Sequence, residues 1–276
     1  MQTASFSIVR APHAIWPVRR SDTFLVVLCG LLFTATAMLT ILWCRAMPNM
    51  SLPMPGGWTM SMTWMRMDGE SWPSAAVAFI GMWTVMMVAM MLPSLAPILG
   101  NYRQRLSNVP QTQVNLLTIL FMAGYFLVWT AAGLTVFPAG AMLASLEMRE
   151  PAVARVVPLV SGAVVLLAGA LQFTRWKQHR LVCCQPQNKT HAPRGTHAVG
   201  ALKQGLGLGI DCILCCSGIV AILLALGVMD LRVMAVVTAA TTAERLAPAG
   251  RRVARSIGVF ACSAGLVLMF RAVTGG

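Results

Sequence analysis

The run Gly209-Ile-Asp-Cys-Ile-Leu-Cys-Cys216 places Cys212, Cys215 and Cys216 at positions i, i+3 and i+4. On a helix that spacing puts three thiols on one face. Asp211 stands beside them, within an apolar stretch where a carboxylate is costly and a functional reading is the default. Three thiols with a nearby carboxylate make a soft-metal site. The alternative is a packing face, because a free cysteine packs as a small apolar residue. Redox CxxC motifs sit at helix N-termini in soluble folds, a context this segment lacks.

Thioethers supply a second set of soft ligands. Between Met47 and Met67 lie Met47, Met50, Met54, Met60, Met62, Met65 and Met67, interleaved with Trp58 and Trp64. Thioethers suit Cu(I) and Ag(I), and they work in an oxidising compartment. The four at the end of this loop, Met60, Met62, Met65 and Met67, are its clearest ligand candidates; the alternative is flexible apolar filler at an interface. A further stripe, Met82, Met86 and Met90, recurs every four residues, with Met87 and Met91 alongside. Met86 and Met90 are candidate ligands there, although helix packing explains such a stripe equally well. Pro93 interrupts the backbone ladder of that helix and frees a carbonyl. Cys183 and Cys184, with His179 nearby, form an adjacent pair that clasps a metal only with help from elsewhere, and Cys184 is carried forward as a ligand.

Glu244 and Arg245 are neighbours near the end of an apolar segment and read first as a buried ion pair locking helices together. Phosphate-binding loops, HExxH, a nucleophile elbow and a dinucleotide fingerprint are absent, so the chain is read as a non-enzyme, with a membrane redox enzyme as a minor alternative. Oxygen chemistry at copper or iron usually needs imidazole, and the apolar segments contain almost none.

The elements that must hold these residues are membrane helices. The chain is 57% hydrophobic and only 11% charged over 276 residues, too few charges to cover a water-soluble globule of that size. Seven apolar runs are long enough, or nearly so, to cross a bilayer: 23–43, 75–99, 114–137, 156–174, 205–227, 232–248 and 256–273. The stretch 138–148, broken by Pro138 and Gly140, reads as a loop or re-entrant segment. The formal charge of +13 is concentrated in alternate loops. Arg10, Arg19 and Arg20 precede the first run, Arg103 and Arg105 follow the second, six Lys or Arg follow the fourth, and Arg251, Arg252 and Arg255 follow the sixth. The other loops balance their cations with Asp or Glu. The positive-inside rule then sets the N-terminus inside and the C-terminus outside. Nucleic acid is not expected as a partner, since no recognition motif accompanies the charge.

The expected organisation is a cytoplasmic tail at 1–22 and a single all-α transmembrane domain over 23–276. A Met-rich outer loop occupies 44–74 and a cytoplasmic loop 175–204. Most of the eight cysteines fall at the inner side, where thiols stay reduced, so no disulfide framework is expected.

Four stretches together carry a family resemblance. They are Met54-Pro-Gly-Gly-Trp-Thr-Met-Ser-Met-Thr-Trp-Met-Arg-Met67, then Gly81-Met-Trp-Thr-Val-Met-Met-Val-Ala-Met-Met-Leu-Pro-Ser94, then Gln172, Thr174 and Lys177 with Cys184 and Pro186, and finally Cys212 to Cys216 running on to Gly227-Val-Met229 and Glu244-Arg-Leu-Ala-Pro248. In these the chain resembles a bacterial family of predicted metal-binding integral membrane proteins, once known only as a domain of unknown function. The resemblance implies a helical membrane bundle that binds metal. With the ligand types above, the expected metal is Cu(I), taken up, held or delivered in the bacterial inner membrane. The expected partners are the lipid bilayer and a copper-dependent enzyme or metallochaperone. The rival expectation is a non-catalytic membrane scaffold whose Met and Cys residues serve packing.

Overall fold

Backbone in lipid must satisfy its own hydrogen bonds, and this chain does so almost entirely with helices. The computed structural model describes residues 23–46, 51–54, 58–61, 64, 71–185 and 197–274. In chain order the elements are α1 (Thr23–Ala46), β1 (Ser51–Met54), β2 (Trp58–Ser61), α2 (Trp72–Gln104), α3 (Gln111–Arg149), α4 (Pro151–Leu171), α5 (Arg175–Cys183), α6 (Ala198–Leu226), α7 (Leu231–Leu246) and α8 (Gly250–Thr274). The two strands form an antiparallel hairpin with Leu52 opposite Met60. The tail 1–22 and the middle of the loop 175–204 lie outside the described residues; the start of that loop folds as α5.

Six helices are long and apolar enough to cross a membrane: α1, α2, α3, α4, α6 and α8. The remaining expected span corresponds to α7, a helix of 16 residues, at about 24 Å shorter than a hydrocarbon core of about 30 Å. The outer faces are lipid-like: Phe260 is 76% exposed and Phe270 70%. One expectation fails. The stretch 138–148 is not a loop or re-entrant segment but the last third of α3, which continues through Pro138 to Arg149. Membrane helices tolerate proline where neighbouring helices and local adjustments satisfy the freed backbone group, and α3 continues across Pro138. Pro93 and Pro97 are likewise carried inside α2.

Two pairs of helices approach closely along glycine seams, as helices do where small residues face each other in a membrane. In the α3–α6 seam, a methyl on Gly205 would collide with the Phe121 carbonyl, and one on Gly209 would sit 2.9 Å from the Tyr125 carbonyl. In the α4–α8 seam, a methyl on Gly265 would lie 2.6 Å from the Leu166 nitrogen. Between α2 and α3 the tie is polar: Trp83 Nε1 donates to the Trp129 carbonyl at 2.8 Å, and Thr84 and Thr130 hydroxyls meet at 3.0 Å. The core so formed runs through α2, α3, α6 and α7 and contains Met86, Met90, Tyr125, Cys212 and Cys216.

Candidate metal centre

The α3–α6 seam decides where the thiols go. Because Gly205 and Gly209 let the backbones meet, the Tyr125 side chain of α3 reaches the thiol face of α6. Its hydroxyl lies 2.9 Å from Cys212 Sγ. Cys212 Sγ and Cys216 Sγ, one helical turn apart, are separated by 3.9 Å. The ladder continues through the Cys216–Cys215 and Cys215–Cys184 pairs, Cys184 capping the end of α5. All four thiols are buried, with Cys184 and Cys212 at 0% exposure. The i, i+3, i+4 expectation therefore holds as geometry, and Cys184, already a candidate from the sequence, joins these three from another element.

Cations frame this ladder on two sides. Arg245, on α7, is fully enclosed. Its Nη1 donates to Ser94 Oγ at 2.7 Å, to Cys212 Sγ at 3.3 Å and to the Tyr125 hydroxyl at 3.4 Å. Its Nε and Nη2 have no hydrogen-bond partner among the described residues. On the other side Lys177, on α5, donates to the Cys215 carbonyl at 2.6 Å and pairs with Glu244 at 2.8 Å. Burial alone would lower the Lys177 pKa; the Cys215 and Cys216 sulfurs and the Glu244 carboxylate outweigh it and hold the ammonium above the ordinary lysine value. Gln172 also hydrogen-bonds to Glu244.

Two readings of the sequence are corrected here. Glu244 and Arg245 do not pair with each other: adjacent helical residues point about 100° apart, and Glu244 turns to Lys177 while Arg245 turns to the thiols. Asp211, for the same reason, does not face the thiols. Its carboxylate bonds Arg180 at 3.2 Å, with both side chains about one third exposed at 35% and 34%. Sequence reasoning did not find Tyr125, Ser94 or Arg245 as neighbours of the cluster. Ser94, Lys177 and Arg245 stand inside the motifs that carry the family resemblance, which was their one signal in the sequence; Tyr125 had none.

The methionine candidates divide. Met86 and Met90 are buried in the same core as Cys212, at 1% and 3% exposure. Met62, Met65 and Met67 lie outside the described residues, as does the side chain of Met60. Trp64 is described. Its ring lies 5.0 Å from that of Phe79 of α2, tilted by 37°, and fills the space that a side chain at Gly140 of α3 would take.

Chemically, the ladder offers sulfur in plenty and little else. Two metal–thiolate bonds of about 2.3 Å span up to about 4.6 Å, so the Cys212–Cys216 pair is within reach of one ion. Among the described residues no group of three or more His, Cys, Asp or Glu side chains is gathered tightly enough to hold a metal as it stands. A narrow cleft lined by Gln172, Trp176, Lys177, Cys215 and Gly218 leads to the ladder between α4, α5 and α6.

A family model described as PpoB2, copper chaperone, matches residues 80–268. The match runs from α2 into α8 and takes in Cys184, Cys212, Cys215, Cys216 and Arg245, while the Met-rich loop precedes it. No curated protein and no solved structure matches the chain. With well over half of its length matched, the chain belongs to this copper chaperone family.

Proposed function

We propose that this member of the copper chaperone family is an integral protein of the bacterial cytoplasmic membrane that binds Cu(I) on the Cys184–Cys212–Cys215–Cys216 ladder and passes it to a copper-dependent enzyme or metallochaperone. The observation that carries the reading is Arg245, a buried guanidinium whose partners are a hydroxyl, a phenol and the Cys212 thiol. A buried cation without a carboxylate is unfavourable by several kcal/mol. Cu(I) on two thiolates carries a net charge of minus one, and such a site beside Arg245 leaves both charges compensated.

Loading removes a proton from each thiol that coordinates. Cys212 and Cys216 accept the ion first, because the Arg245 guanidinium stabilises the charge that develops there. Cys215 and Cys184 extend the sulfur path towards α5 and the cleft beside Lys177, which gives the ion an exit by exchange from thiol to thiol. The methionines complete the route at the other end. Met60, Met62, Met65 and Met67 collect the ion outside, and Met86 and Met90 line the way in. Neutral thioethers bind more weakly than thiolates, so the affinity order favours inward movement. The loop charges support a cytoplasmic position for the Cys183–Cys184 end. The protein moves or holds copper and turns over no substrate.

Elemental analysis of the full-length protein, purified without oxygen in the presence of excess Cu(I), tests this reading. Whole-number copper per chain is expected. Protein that leaves the column folded and copper-free contradicts it.

A further inference from the structure

A second pair of sulfurs lies at the opposite end of the bundle, where α1 ends and α6 turns into α7. Cys44 Sγ is 3.8 Å from Met229 Sδ. Cys44 sits in the last turn of α1, two residues before Ala46, and both side chains are partly buried against the core. The turn that presents Met229 is tightly specified. Gly227 adopts φ 122°, a left-handed conformation that glycine takes without strain, and its N–H bonds the Leu223 carbonyl at 3.0 Å. Three residues on, Asp230 Oδ1 accepts from the Arg232 and Val233 amides at 2.7 and 3.3 Å and caps α7. Met229 is thus held against Cys44 by two helix ends.

We propose that Cys44 and Met229 form a separate two-sulfur site for a soft monovalent cation, the receiving point of the bundle, lying about 21 Å along α6 from the thiol ladder. Their separation is within the roughly 4.6 Å that two metal–sulfur bonds span. One thiolate, one thioether and one monovalent ion make a neutral group. Binding therefore releases a single proton from Cys44 and needs no buried guanidinium, in contrast to the bis-thiolate ladder with Arg245 beside it. A thiolate–thioether pair also ranks between the all-thioether loop, which begins at Met47 only three residues beyond Cys44, and the thiols inside. This inference rests on the inward route of the preceding section for its purpose, but not for its existence.

The test uses the full chain in detergent with Ag(I) as a redox-inert probe. Maleimide labelling of Cys44 is located by peptide mass spectrometry as Ag(I) is raised. In the parent protein Ag(I) should protect Cys44. In Met229→Leu, which conserves volume, protection should require roughly tenfold more Ag(I) or beyond, as expected when a metal loses a partner. Cys44→Ala should lower bound Ag(I) by one per chain. In Cys212→Ser/Cys216→Ser the protection of Cys44 should persist, which separates this site from the ladder: loss of copper there with protection intact leaves the present inference standing. Equal protection in the parent and Met229→Leu, with unchanged Ag(I) content in Cys44→Ala, overturns it and makes the pair a packing contact.

Discussion

The two glycine seams of this bundle use the same device for different ends. Along α4–α8, Gly162, Gly169 and Gly265 bring two helices together, and Cys262 lies in the contact with its thiol 3.7 Å from the Leu166 carbonyl. Nothing more is asked of that sulfur; it fills space and meets a backbone acceptor. Along α3–α6 an equally close approach places Cys212 against a phenol, a guanidinium and a second thiol. A buried cysteine alone therefore says little. What marks the α6 face is the company of Arg245 and Lys177, since apolar packing gives no reason to draw two cations into the core of a membrane protein.

Breaking the α3–α6 seam should have the largest effect. Gly205→Leu drives a side chain into the Phe121 backbone, which cannot yield as a flexible side chain would. Little or no folded protein is expected, read as loss of a monodisperse peak on size exclusion. Gly207→Ala, two residues along on a side where a methyl meets nothing, should melt at or slightly above the parent temperature.

Next comes the Lys177–Glu244 pair. Glu244→Gln leaves a buried ammonium without its counter-charge, a loss of about 3–5 kcal/mol where both partners are enclosed. A clear fall in melting temperature checks this. The raised Lys177 pKa adds a sign: the stability from its charge is fully present below the ordinary lysine value and is lost as pH climbs through the raised one. Glu244→Gln removes one of the groups that raise this pKa, so the alkaline limb should move to lower pH than in the parent.

Arg245→Met should act on copper more than on folding. Loss of a charge-assisted contact of about 1.5–3 kcal/mol predicts roughly ten- to hundredfold weaker Cu(I) retention, measured by competition with a chelator. Arg245→Lys, which keeps the charge, should recover part of it. Asp211→Asn should be the mildest change. Its carboxylate faces Arg180 at the partly exposed rim, so copper affinity should shift by less than a few-fold.

Periodicity made half of this site legible. The spacing of Cys212, Cys215 and Cys216 fixes a common face whatever the helix packs on, and the apolar runs marked the long helices. It could not say what that face meets, because the rotation of one helix against another is set by seams such as Gly205 and Gly209 acting on partners far along the chain. Tyr125 and Ser94 become neighbours of Cys212 and Arg245 only after assembly. Glu244 and Arg245 misled for a related reason: opposite charges adjacent in sequence invite pairing, yet the helix sends them to different neighbours. Pro138 misled because proline ends helices in water far more readily than in lipid.

On the proposed function the α6 thiols hold copper and the thiol of the other seam, Cys262, does not. Copper per chain, measured after anaerobic loading of Cys212→Ser/Cys216→Ser and of Cys262→Ser with thermal stability as the control, tests it most directly. The double variant should fold, since Ser occupies nearly the same space, and should lose its tightly held copper; Cys262→Ser should match the parent. A folded double variant that retains copper at the parent level would make the ladder a packing seam like the one between α4 and α8.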